Sequence, residues 1–123
     1  LALAGKGGLE LDREIAAMLA ALPKTDTERL HRFADLLARA GAEEAWRTAT
    51  GLMSWRLSRA IEAGVRRQPD ELARRLMGLA PLDRWVEVWD KVRQLIAQSD
   101  GTPHMRKQVV LGAFFALERA ARG

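Results

Sequence analysis

The chain has 123 residues, 48% of them hydrophobic and 29% charged, with no cysteine. That length closes one hydrophobic core, that balance excludes a disordered tail, and the missing thiols exclude disulfides, thiolate metal sites and cysteine nucleophiles. A formal net charge of +4 raises the question of an acidic partner, yet acidic residues are interspersed nearly everywhere, so the basicity is mild.

Alanine, leucine and arginine dominate and tyrosine is absent, a composition that loses little conformational freedom in a helix. No stretch alternates apolar and polar residues with period two. No apolar run approaches the ~20 residues that span a bilayer. The opening LALAGKGGLELD lacks an initiator methionine, a basic n-region and a cleavage site, so it is read as no signal peptide but as the start of a piece cut from a longer chain. Within it, residues 1–8 read as a linker broken at Gly7-Gly8. Gly5-Lys6 is no phosphate loop: the glycine needed five positions before Gly5 has no place, and Gly7 stands where a Ser or Thr would hold Mg²⁺.

Helical punctuation then repeats. Leu11, Ile15, Met18 and Leu22 mark one face of a first helix that runs up to Pro23. Thr25 and Glu28 have capping-box spacing, ahead of a second helix carrying Leu30, Phe33, Ala34 and Leu37 and stopped by Gly41. A third starts near Ala42, with Trp46, Ala49, Met53, Leu57, Ala60 and Ile61 on one side, frays around Gly64 and ends before Pro69. PDELARRLMG is a short helix with Pro69 in its first turn, Asp70 and Glu71 at its positive dipole end, and Gly78 after it.

The fifth helix, in PLDRWVEVWDKVRQLI, poses the question of what its two tryptophans do. At ~100° per residue, Leu82, Trp85, Val88, Trp89, Val92, Leu95 and Ile96 form one stripe. Asp83, Glu87, Asp90, Lys91, Gln94 and Gln98 lie opposite. A platform for nucleic-acid bases sets rings beside cations on a solvent face, whereas these rings sit among aliphatics and read as core. In TPHMRKQVVLGAFFALERAARG, the last helix, Val109, Val110, Ala113, Phe114 and Leu117 form the core stripe. Short connections imply antiparallel neighbours. The expected fold is all-α, a compact bundle of five to six helices over residues 9–123.

No chemistry-bearing constellation emerges. His31 and Asp35 could orient one another as a base and its partner, but no nucleophile accompanies them, Ser54, Ser58 and Ser99 look incidental, and a solvated pair is the plainer reading. His104 has no second ligand at helical spacing. No catalytic, cofactor or metal residue is therefore assigned. Arg56, Arg59, Arg66, Arg67, Arg74 and Arg75 cluster in sequence, either as a patch for phosphates or, preferably, as a solvated face partly neutralised by Glu62, Asp70 and Glu71. Two apolar features exceed what a one-sided bundle needs. Trp55 lies opposite the Trp46 stripe, with Leu52 and Arg59 on its side. Leu111 and Phe115 point away from the core stripe of the last helix. Aromatics beside an arginine anchor many interfaces, so Leu52, Trp55, Arg59, Leu111 and Phe115 are the candidate interface.

LDRWVEVWDKV followed by RKQVVLGAFFALERAAR, with LALAGKGGLEL before them, resembles the C-terminal helical domain of the delta-prime subunits of bacterial DNA polymerase III clamp loaders. The resemblance covers essentially the whole chain. Its specificity lies in the Trp85/Trp89 block and in Arg106-Lys107-Gln108; Pro103-His104-Met105 departs from the family pattern, which has something like Asn-Leu-Asp there. The resemblance implies that residues 1–8 end an AAA+ lid domain and that residues 9–123 are a collar domain. In such loaders the C-terminal helical domains of five subunits join into a ring. That collar holds the AAA+ modules while neighbouring subunits' ATP binding opens and closes the sliding clamp in DNA replication. It further implies a cytoplasmic, non-enzymatic domain with no cofactor, no membrane contact and no small-molecule substrate, partnered by the other loader subunits and reaching DNA only through the complex. The alternative, from charge alone, is a small helical nucleic-acid-binding module using Arg56, Arg66, Arg67, Arg74 and Arg75.

Overall fold

Caps and turns divide the described residues into six helices. The computed structural model describes residues 2–99 and 101–123 and has α1 (Ala2–Ala20), α2 (Thr27–Leu37), α3 (Glu43–Arg66), α4 (Glu71–Leu79), α5 (Leu82–Gln98) and α6 (Pro103–Arg122), with no strand among the described residues. The fold is the expected all-α bundle. Helix α3 is central: α1 and α5 pack along it and α4 crosses near its C-terminal end, while α6 packs on α5 and α2.

The helical periodicity translates directly into burial. Every residue assigned above to the inner faces of α1, α2, α3 and α6 is buried. On α5, Trp85, Val88 and Val92 are buried, and Leu82, Trp89, Leu95 and Ile96 pack half-buried against them. Trp85 is fully enclosed, and its indole N–H donates to the carbonyls of Leu76 (2.8 Å) and Ala80 (3.2 Å). A buried ring with a satisfied polar handle is an anchor; here it fixes α5 to the end of α4.

Local signals hold less well at the helix ends. Where the sequence suggests a linker over residues 1–8, α1 runs through Gly7-Gly8; Leu1 lies outside the described residues. Each helical glycine costs about 1 kcal/mol against alanine, and packing on α3 overrides that cost. A Cβ at Gly8 would touch Thr48 Cγ2 at 3.9 Å. The capping box at Thr25 does not form. Asp26 caps α2 instead, accepting from the Arg29 amide at 3.1 Å, while the Thr25 amide donates to Glu118 on α6 at 3.3 Å. Pro69 precedes the cap rather than entering the first turn, since Asp70 accepts from the Ala73 amide at 2.9 Å. Gly78 lies inside α4 rather than after it. At Pro103-His104-Met105 the helix start is orthodox: Thr102 accepts from the Met105 amide and Pro103 takes the first position, where a missing N–H costs nothing. Helix α3 ends on Arg67, left-handed at φ 54, a conformation costing a non-glycine residue about 1 kcal/mol.

Arg106 closes the structure. Only 3% exposed, it donates from Nε to the Gly101 carbonyl (2.7 Å), from Nη1 to the Leu37 and Arg39 carbonyls (3.2 and 3.3 Å), and from Nη2 to Glu43 Oε2 (3.0 Å). One side chain thus joins the end of α2, the turn after it, the start of α3 and the turn before α6. Replacing Arg106 by Met should cost about 3 kcal/mol in urea unfolding, because several buried carbonyls lose their donor together. Arg106→Lys should recover little of that, since a point ammonium cannot span the four acceptors a guanidinium fork reaches. A Lys variant as stable as the parent would show that charge alone matters there.

Candidate functional site

The residues singled out for an interface fall on two separate faces. Trp55 stands nine residues after Trp46 on α3, a half-turn round the helix at ~100° per residue, and is 54% exposed. One turn on, the Arg59 guanidinium lies over its ring, 5.3 Å from the centroid. Such a cation–π contact orders both side chains and is worth about 0.5–1 kcal/mol at an exposed site. Leu52 is half-buried against the core, so it contributes an edge rather than a projecting anchor. On α6, Phe115 is 51% exposed while Leu111 is half-buried. Helix α5 lies between the two faces, packed on α3 along one flank and on α6 along the other.

Sequence reasoning missed a second tryptophan–arginine pair. Trp89 donates its indole N–H to the Ser54 carbonyl at 3.3 Å, which ties that flank of α5 to α3. Arg93 then lies over the Trp89 ring, 4.6 Å from its centroid, and Val86, one turn before Trp89, is exposed. The signal was present: Trp and Arg recur at i, i+4 in both helices (55/59 and 89/93), the spacing at which side chains meet on a helix. A shallow groove of about 380 Å³ runs from Trp55, Ser58, Arg59 and Glu62 to the Gln68–Asp70 turn.

A second, larger groove of about 920 Å³ opens between α1, α2 and the first turns of α3. Leu11, Phe33, Leu36 and Ala45 form its apolar lining, and charges of both signs ring it, among them Glu10, Glu14, Arg29, Arg39 and Glu44. Arg29 crosses from α2 to pair with Glu14 on α1.

Within the arginine cluster Arg56 is half-buried, whereas Arg66, Arg67, Arg74 and Arg75 are exposed. Arg56 makes a bidentate contact with Asp12 on α1 (2.7 and 2.8 Å), and Arg75 donates to the Leu22 carbonyl at 2.8 Å. Arg66 approaches Glu62 at 3.8 Å, and Arg67 forms the C-cap of α3. Arg74 is exposed on α4. The His31 and Asp35 pair is likewise diverted, because Lys107 takes Asp35 at 2.7 Å. His104 is exposed. Among the described residues no group of three or more His, Cys, Asp or Glu could hold a metal ion, and no helix is long and apolar enough to cross a membrane.

Compared with known proteins, the chain matches no family model, no curated protein and no solved structure.

Three carboxylates that tie helices together sit below their ordinary range. The hydrogen bond from Arg56 lowers Asp12, that from Lys107 lowers Asp35 and that from Arg106 lowers Glu43. The unfolded chain therefore takes up protons near the ordinary values of 3.8 and 4.5, while the folded chain resists. The stability these pairs supply is present above those values and is lost as pH falls through the depressed ones. Thermal midpoints should hold steady above about pH 5 and drop below about pH 4, and Asp12→Asn should flatten part of that drop. A midpoint indifferent to acid in both proteins would remove these pairs from the stability of the fold.

Proposed function

We propose that this chain is a non-enzymatic assembly domain, the collar domain of a delta-prime-type clamp-loader subunit, which holds neighbouring subunits together during sliding-clamp loading in DNA replication. The observation that carries the reading is the pair of half-exposed aromatics, Trp55 and Phe115, on helices whose inward stripes are already complete without them. A member of a closed ring buries one surface within itself and gives another to each neighbour, so it needs two distinct faces. Here α5 separates two such faces. Aromatic anchors with an arginine alongside are the residue types that dominate interface energetics.

The sequence block that carries the family resemblance supports the reading in a second way. Trp85 and Arg106 hold α4, α5, α6 and the α2–α3 turn in register, so the most family-like residues specify the domain's shape. In this reading the domain belongs to the bacterial cytoplasm and meets DNA only through the assembled loader. Of the residues that the nucleic-acid alternative would use, Arg56 is committed to Asp12 and Arg75 gives one N–H to the Leu22 carbonyl.

Trp55→Asp and Phe115→Asp should each weaken co-elution with the other loader subunits at least ~10-fold, as expected when a central anchor is lost, while the helical circular dichroism and melting of the isolated chain stay close to those of the parent. Co-elution of the parent should change little between ~50 and ~200 mM salt, whereas binding through phosphate contacts would fall steeply over that range. A folded double variant that still co-elutes would overturn the assignment.

A further inference from the structure

The groove between α1, α2 and the first turns of α3 includes neither Trp55 nor Phe115, and its two sides carry charges of opposite sign. On the α2 side it is lined by Phe33 and Leu36 together with Arg32 and Arg39. Those arginines stand seven residues apart, about two turns or ~10 Å along the helix, and the exposed Leu36 lies between them. On the facing side Glu10 of α1 and Glu44 of α3 accompany Leu11 and Ala45. The remaining charges are engaged within the domain: Arg29 pairs with Glu14, and Asp26 caps α2. Glu10, Glu44 and the Arg39 guanidinium make no ion pair or hydrogen bond among the described residues. Arg39 adds only a longer-range attraction to Asp35, whose carboxylate Lys107 already holds. Arg32 approaches Glu28 only to 3.9 Å, with both side chains largely in water.

Gly7 points to an occupant in the same groove. It stands inside α1, where glycine is less stable than alanine, and a Cβ on it would meet nothing within 4 Å among the described residues. Packing inside the domain therefore does not ask for glycine there. Its missing side chain instead leaves room in the groove it lines, beside the small Ala40, Ala42 and Ala45. The long sides, α1 and α2, are helices whose interior amides and carbonyls bond to one another, so an extended segment finds no backbone partners along them. A helix brings its own backbone bonds complete. A nucleic-acid backbone laid along Arg32 and Arg39 would meet Glu10 and Glu44 across the groove.

From this charge complementarity we propose that the α1–α2 groove receives an amphipathic helix of a partner protein. One edge of that helix carries carboxylates two turns apart for Arg32 and Arg39, and the other carries cations for Glu10 and Glu44. Between the edges an apolar row rests on Leu11, Phe33, Leu36 and Ala45. The inference goes beyond the assembly reading and does not depend on it, since it uses neither Trp55 nor Phe115.

The test uses a labelled synthetic helical peptide with a leucine–alanine row, two glutamates seven residues apart on one edge and two lysines on the other. Its twin has glutamine at all four charged positions, and binding to the chain is read by fluorescence anisotropy. The charged peptide should bind at least ~10-fold more tightly than its twin, the scale of four partly exposed ion pairs acting together. Arg32→Gln, Arg39→Gln and, separately, Glu10→Gln, Glu44→Gln should each remove most of that preference. All four side chains are exposed, so circular dichroism should report an unchanged fold. Gly7→Leu should fill the groove and weaken the charged peptide at least ~10-fold, while the thermal midpoint stays level or rises because leucine favours a helix. Equal binding of the two peptides, binding of neither, a preference that survives either double substitution, or binding that ignores Gly7→Leu would overturn the proposal. Self-association of the parent chain in sedimentation that Gly7→Leu abolishes would overturn it too, because the occupant would then be a second copy.

Discussion

Everything about where this domain can be touched follows from what it keeps inside, and the most demanding thing it keeps inside is the Arg106 guanidinium. Taking an arginine out of water is tolerable only when its donors are met, and here the acceptors come from the end of α2, the turn after it, the first turn of α3 and the turn before α6. The interaction fixes the rotation of α6 about its own axis. Phe115 stands nine residues beyond Arg106, a half-turn round the helix, so a buried Arg106 forces an outward Phe115. The same geometry governs α3, where buried Trp46 and exposed Trp55 are also nine residues apart. Each exposed aromatic is the opposite pole of an internal anchor.

That relation explains what could be read from sequence and what could not. Apolar periodicity is a property of one helix, and it placed the inner faces of α1, α2, α3 and α6 correctly; the outward positions of Trp55 and Phe115 are its complement. Arg106 also falls in the pattern, at the i, i+3, i+4 and i+7 spacing of 106, 109, 110 and 113, but a charge in such a stripe gains meaning only from partners more than 60 residues away. The failed capping box has the same cause. Thr25 and Glu28 had the right spacing, yet Asp26 is an equally good cap one residue later, and Glu118 from the far end of the chain takes the Thr25 amide. The Arg93 contact escaped notice although its spacing from Trp89 lies within one helix, because the apolar stripe of α5 assigns Trp89 to the core, where it is only half-buried.

The arginines sort by their partners rather than by their position in sequence. Arg56, Arg29 and Arg106 each reach a carboxylate on another helix, and Arg75 fastens the carbonyl that ends the α1 turn. These are cross-braces, and their stems cover apolar surface on the way. In the arginine cluster Arg56 is thus drawn inward while Arg66, Arg67, Arg74 and Arg75 stay exposed, and the mild excess of positive charge also includes Arg59 and Arg93, which rest on indole rings.

The character of the Trp55 face also bears on what it can pair with. Two copies meeting through Trp55 around a two-fold axis would bring the exposed Arg59 of each close to that of the other, and like charges brought together across an interface cost several kcal/mol. The α6 face is of a different kind, with Phe115 flanked by Gln108 and Arg119 at helical spacing and Arg122 drawn toward Glu118 at 3.7 Å. A domain with two unlike faces, one of them disfavouring its own image, is suited to contacts with different neighbours on its two sides rather than to a symmetric pair. Such heterologous contact closes a ring when the rotation between neighbours allows it, which is the geometry that the proposed collar role asks of each member.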